Sequence, residues 1–244
     1  MQQRLPSQLD PPVMFAHRGA SAHAPENTIA AFQLALKLGA TGLESDVWMT
    51  ADGVAVLDHD GEIRSGRLRK APLGQFRRDQ LPDHIPTLLE LFAACGTDYH
   101  LSLDLKDHES GPAVIELVAD HAPSLLPRLW LCHHDLDQLV PLRGLSDQVK
   151  LVDSTRLERF DTGPERRAAR LADEGIDGIN LRQPDWNGGL VALFHRFGRT
   201  AFAWDLQLDH QLRTAYRMGI DAVYSDHVDR MVDAFRVELG APPA

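Results

Sequence analysis

Short apolar runs alternate with longer amphipathic ones along nearly the whole chain, and few folds accept that rhythm. The runs expected to be strands fall at 13–17, 42–48, 99–105, 128–133, 148–153, 177–181, 200–204 and 221–225, with a short extra one at 54–58. Helical patterns lie between them, most clearly at 27–38 and 165–174, and also near 86–95, 111–120, 136–144, 188–197, 209–218 and 227–239. Gly39, Gly175, Gly198 and Gly219 each close a helical pattern, where a left-handed cap favours glycine. Eight strand-helix units in 244 residues predict an α/β fold, a closed parallel (β/α)₈ TIM barrel spanning 1–244 as one domain. The irregular stretch at about 60–84 reads as a short insertion after the second β/α unit. An open doubly wound sheet is the alternative, but no glycine-rich loop follows the first strand to make a dinucleotide site.

Acids outnumber Lys and Arg by 35 to 25, a formal charge of -10, which argues against a nucleic-acid-binding surface. An anionic small molecule is still admissible, because a metal and a few bases can reverse the field inside one cleft. The first twelve residues are polar and hold no apolar core of signal-peptide length, and no apolar run reaches membrane-span length. The expectation is a cytoplasmic protein without membrane insertion. Cys95 and Cys132 stand far apart and read as free thiols.

In a barrel of this kind the active site lies at the C-terminal ends of the strands, so polar residues there carry functional weight. Five strand ends stand out: His17-Arg18, Glu44-Ser45-Asp46, Asp58-His59-Asp60, Asp104-Leu105-Lys106 and Trp204-Asp205. Glu44 and Asp46 lie two residues apart and therefore share one strand face. If that face is the barrel interior, buried carboxylates need a cation. With Asp104 they make an oxygen-only set suited to Mg²⁺ or Ca²⁺; the alternative is pairing with Lys or Arg at the rim. His17 and His59 are the candidate proton-transfer pair, since histidine titrates near neutral pH.

These residues carry a family resemblance. His17-Arg18-Gly19, Pro25-Glu26-Asn27-Thr28, Gly39-Ala40, Glu44-Ser45-Asp46-Val47, Thr50-Ala51-Asp52-Gly53 and His59-Asp60 resemble the opening signature of the glycerophosphodiester phosphodiesterase family. Ile85-Pro86-Thr87-Leu88, Trp204 and the run from Gly219 to Asp226 are similar to later segments of that family, in the same order. The resemblance implies metal-dependent hydrolysis of a small-molecule phosphodiester to sn-glycerol 3-phosphate and an alcohol by acid-base catalysis. It implies Glu44, Asp46 and Asp104 as metal ligands, His17 and His59 as catalytic histidines, and Arg18, Lys106 and Trp204 as substrate contacts.

Three departures bear on substrate rather than on catalysis. Asp104 stands where the family usually has glutamate, Asp205-Leu206-Gln207 follows Trp204 where Thr-Val-Asn is common, and His133-His134 ends the fourth strand in place of Ser-Phe. His133 and His134 read equally as substrate contacts and as packing or rim residues. Six bases and no acid lie between Ile63 and Arg78 (Arg64, Arg67, Arg69, Lys70, Arg77, Arg78), either a solvated loop or a basic lip. Two other functions fit the same residues: a lysophospholipase D-like phosphodiesterase acting on a lipid, and a non-catalytic barrel serving as a binding module.

Overall fold

The computed structural model describes residues 4–65 and 69–240. In chain order, β1 (Val13–Ala16) leads to α1 (Ile29–Leu38) and β2 (Gly42–Met49). The short strands β3 (Ala55–Leu57), β4 (Glu62–Ser65) and β5 (Arg69–Pro72) precede α2 (Leu88–Cys95). There follow β6 (His100–Leu105), α3 (Ser110–His121), β7 (Leu129–His133), α4 (Leu136–Leu139), β8 (Lys150–Ser154) and α5 (Pro164–Asp173). The chain closes with β9 (Gly178–Arg182), α6 (Gly188–Arg196), β10 (Thr200–Trp204), α7 (Asp209–Met218), β11 (Ala222–Ser225) and α8 (Val228–Leu239).

The expected barrel forms. β1, β2 and β6 to β11 pair in parallel around a ring, and β1 closes it by pairing with both β2 and β11. Each ring strand begins and ends within two residues of its expected position. These strands are buried on both faces, which is why they read as near-continuous apolar runs rather than alternating ones. Outward side chains such as Leu43, Leu103, Leu131 and Leu181 pack with Phe32, Leu88, Phe194 and Phe235 of the helix layer. Inward ones form a separate plug of Val13, Phe15, Trp130, Cys132, Val152, Phe202, Ala222 and Tyr224.

Helix ends follow local chemistry. Thr28 caps α1 by accepting from the Ala31 N–H at 3.2 Å, and Thr87 forms a capping box with Glu90 at the start of α2. Gly39 and Gly219 end α1 and α7 in the left-handed conformation, at φ 99° and 81°.

Two expectations need correction. The helical pattern at 136–144 is α-helical only through Leu139; a tighter 3₁₀ turn follows over Val140–Gly144. Pro141 lacks the N–H that an α-helix would use there. The insertion lies within the second β/α unit, between β2 and α2, rather than after it; the extra strand β3 forms where expected and runs antiparallel to the end of β2, pairing Val47 with Leu57.

Between β3 and α2 lie the antiparallel β4–β5 pair and 3₁₀ turns at Leu73–Gln75 and Arg78–Gln80. Among the bases of this segment, Lys70 meets Glu62 at 2.9 Å, Arg77 meets Asp52 at 3.5 Å and Arg78 meets Glu90 at 3.4 Å. Arg67 and the side chain of Arg69 lie outside the described residues. Cys95 and Cys132 are free thiols. No described helix is long and apolar enough to cross a membrane.

Candidate active site

At the C-terminal ends of the barrel strands, above the aromatic plug, opens a cavity of about 530 Å³. Tyr224 forms part of its floor, stacked on Phe15 at 4.8 Å and hydrogen-bonded to Ser102 at 3.0 Å. Along the strands of one side the interior changes from apolar to acidic. Glu44 and Asp46 of β2 point inward, and strand register sets Asp46 opposite Asp104 of β6. Carboxylate oxygens of these three residues lie within 4.8 Å of one another.

The loop after β1 is turned into the cavity by strain and hydrogen bonding together. Arg18 adopts a left-handed backbone at φ 53°, rare for a side chain of its size. It is held there by its own N–H, which donates to Glu44 Oε2 at 2.8 Å. Its guanidinium reaches Glu26 at 3.1 Å and stands 3.7 Å from Asp46 Oδ2. His17 donates from Nδ1 to Asp226 Oδ1 at 2.6 Å, because a carboxylate only accepts. Its Nε2 therefore faces the cavity, 4.0 Å from Glu44.

His59 arrives on a turn built by its neighbours. Asp58 accepts the Gly61 N–H at 2.7 Å, and Trp48 donates to the Asp58 carbonyl at 2.9 Å. Trp48 lies so close over Gly61 that a Cβ there would stand 2.2 Å from its ring, and φ is +62°, so only glycine fits. The His59 ring is 2.9 Å from Asp60 through Nδ1.

Burial shapes the electrostatics. Glu44 is pushed up to about 7, mainly by burial, with Asp46 and Asp104 adding to it and His17 opposing. Asp104 is also raised, by burial first, although Lys106 opposes the shift. Burial works to lower His17, but Glu44 and the hydrogen bond to Asp226 outweigh it and lift it to about 9. Lys106 Nζ bridges Asp46 at 2.7 Å and Asp104 at 3.6 Å. One lysine does not satisfy the cluster: Asp46 Oδ2 is buried without a hydrogen-bond partner. An all-oxygen donor set with an unfilled buried acceptor fits a hard divalent cation.

The raised Glu44 gives that fit a pH signature. Burial lets Glu44 hold a proton well above the usual carboxylate range, and a proton competes with a cation for the same oxygens. Ca²⁺ or Mg²⁺ affinity should therefore weaken as pH falls, by up to about tenfold per unit once Glu44 is protonated. Calorimetric titrations between about pH 5.5 and 8 check it, and an affinity independent of pH would remove Glu44 from the ligand set.

Residues 17–230 match the Glycerophosphoryl diester phosphodiesterase family. The chain belongs to that family. Probable glycerophosphodiester phosphodiesterase 2 of Mycobacterium tuberculosis is 30% identical over 244 residues, covering 91% of this chain and 89% of that one. Glycerophosphodiester phosphodiesterase 1 of Mus musculus is 38% identical over an alignment covering 55% of this chain and 46% of the mouse protein. Among solved structures, an Oleispira antarctica phosphodiesterase in complex with the product sn-glycerol-3-phosphate shares the fold. Its TM-score is 0.80 at 24% identity, over 92% of this chain and 96% of that one.

In this member of the glycerophosphoryl diester phosphodiesterase family, the eight residues to which the resemblance gave a metal, catalytic or substrate role line this cavity: His17, Arg18, Glu44, Asp46, His59, Asp104, Lys106 and Trp204. The two histidines ending β7 part company. His134 lines the cavity, whereas His133 turns into a narrow crevice beside Leu105 and Gln138 and hydrogen-bonds around Asp135.

Sequence reasoning missed Asp226, which orients His17, although its position just past an eighth strand would have pointed to it. It also missed Asn180, Ser154, Thr155, Arg156 and Arg159, which line the far wall. Period-two alternation along β9 could have flagged Asn180; nothing in the sequence marked the two arginines.

Proposed function

We propose that this chain hydrolyses glycerophosphodiesters to sn-glycerol 3-phosphate and an alcohol, by acid-base catalysis dependent on a divalent cation. The observation that carries the reading is the convergence of Glu44, Asp46, Asp104, His17 and His59 on one cavity, in a chain of this family. Glu44, Asp46 and Asp104 are the residues that would hold Mg²⁺ or Ca²⁺. When bound, the cation supplies Lewis-acid stabilisation of charge on the phosphoryl oxygens.

The chain's own residues do the rest. Arg18 and Lys106 donate to the remaining phosphoryl oxygens and orient the diester. His17 and His59 carry the protons: one imidazole takes a proton from the nucleophile, either water or the neighbouring glycerol hydroxyl, whose cyclic phosphate water then opens, and the other delivers one to the departing alcohol oxygen. Asp226 holds the His17 ring by Nδ1, which keeps Nε2 directed at the substrate. Trp204 contributes an aromatic face at the wall of the cavity.

The lipid-hydrolysing alternative is less well supported. An acyl chain needs an apolar groove, yet the aromatic residues lining the cavity are Trp204 and Tyr224, amid charged and polar side chains. A non-catalytic barrel would have no need to retain the full set of carboxylates and histidines. The deciding assay is a panel of glycerophosphocholine, glycerophosphoethanolamine, glycerophosphoinositol and lysophosphatidylcholine, with and without Mg²⁺ or Ca²⁺. Cation-dependent release of sn-glycerol 3-phosphate from the first three is the expected result; turnover of lysophosphatidylcholine alone would overturn it.

The positioning role of Asp226 has its own test. Asp226→Asn keeps the shape but removes the negative charge that helps lift His17. It should lower kcat about tenfold or more and move the pH–rate limb belonging to His17 to lower pH. A loss of kcat with an unmoved limb would mean that Asp226 serves folding rather than the imidazole.

A further inference from the structure

Resting on the hydrolytic reading above, we propose that Arg156 and Arg159 form a second anion subsite. The preferred substrates are then phosphodiesters whose alcohol portion is itself acidic, such as a phosphorylated or carboxylated polyol.

The argument begins with where the charges stand. Around the ring, β8 lies four strands from β1 in either direction, so the arginines that follow β8 face Arg18 from the opposite wall. On the near side, acids and bases answer one another: Lys106 meets Asp46 at 2.7 Å, and Arg18 stands 3.7 Å from it. On the far side they do not. Arg156 has only the exposed Glu158 at 3.7 Å, and Arg159 has no ion pair among the described residues. No acid lines that wall, so a phosphodiester seated near β2 and β6 leaves two positive charges ahead of its alcohol portion.

The neighbouring groups narrow the chemistry. The Arg156 guanidinium lies over the Trp204 ring, 5.9 Å from its centroid. It occupies the aromatic face that a quaternary ammonium would otherwise use, and it repels such a cation as well. Asn180 is buried at the cavity wall, its Nδ2 donating to Ser154 Oγ at 3.3 Å while Oδ1 has no partner. Exchanging the amide's O and N still leaves one atom unpaired, so a ligand hydroxyl would complete it. A wall with two guanidiniums, Ser154, Thr155 and a half-satisfied amide suits an acidic polyol and disfavours choline.

The test compares glycerophosphoinositol 4-phosphate, glycerophosphoglycerol with its neutral alcohol portion and glycerophosphocholine with its cationic one, on the wild-type protein and on the Arg156→Gln/Arg159→Gln double variant. For the wild type, kcat/KM should favour the phosphorylated inositol over choline by about tenfold or more at low salt, and the preference should shrink near 0.5 M salt. The double variant should bring the ratio close to one, mainly through KM. Hydrolysis of glycerophosphoglycerol without preference for the acidic substrate, or a preference unchanged in the double variant, overturns the subsite alone. No turnover of any of the three overturns the hydrolytic reading along with it.

Discussion

Exhaustive chelation should abolish turnover, and Mg²⁺ or Ca²⁺ should restore it. The charges around the phosphate give the reason. Glu44, Asp46 and Asp104 crowd within 4.8 Å, and Lys106 and Arg18 answer only part of that charge. Apart from the histidines, these groups and a phosphodiester seated beside them sum to about -2, and each unscreened like-charge pair at about 4 Å costs roughly 4 kcal/mol at an effective dielectric near 20. A dication brings the sum to about zero. Asp46→Asn removes a proposed ligand whose Oδ2 has no hydrogen-bond partner. It should raise the cation dissociation constant at least about tenfold and be partly rescued by excess cation. Full activity in protein shown by elemental analysis to be metal-free would sink the roles given to all three carboxylates.

His17→Ala and His59→Ala should each lower kcat by about 100-fold or more and leave the fold intact. Neither loss should respond to added cation, which separates proton transfer from metal holding. His59 sits on an exposed turn, its side chain 40% accessible, so its removal should change stability by no more than about 0.5 kcal/mol. His17 is more enclosed, and truncation leaves Asp226 without its partner; urea denaturation beside circular dichroism distinguishes a local loss from unfolding. A folded variant with near-normal kcat would take that histidine out of the mechanism.

The parts of this protein that were legible in the sequence are those governed by neighbours along the chain. Strand and helix periodicity and the glycines after α1 and α7 are set by residues within a few positions. So is the shared face of Glu44 and Asp46, which follows from the alternation of a strand. What joins distant residues was decided only by the closed ring. The register that sets Asp46 opposite Asp104 depends on which strands pair. The Nδ1 bond from His17 to Asp226 spans 209 residues and exists because β1 closes against β11.

The same holds for the loops. His133 and His134 are adjacent and chemically identical in the sequence, yet alternate positions point oppositely, and only the barrel defines which direction is inside. Arg156 and Arg159 carry no local pattern at all. They face the cleft because β8 ends on the wall opposite β1, a consequence of eight strands closing on one another rather than of any short stretch of chain.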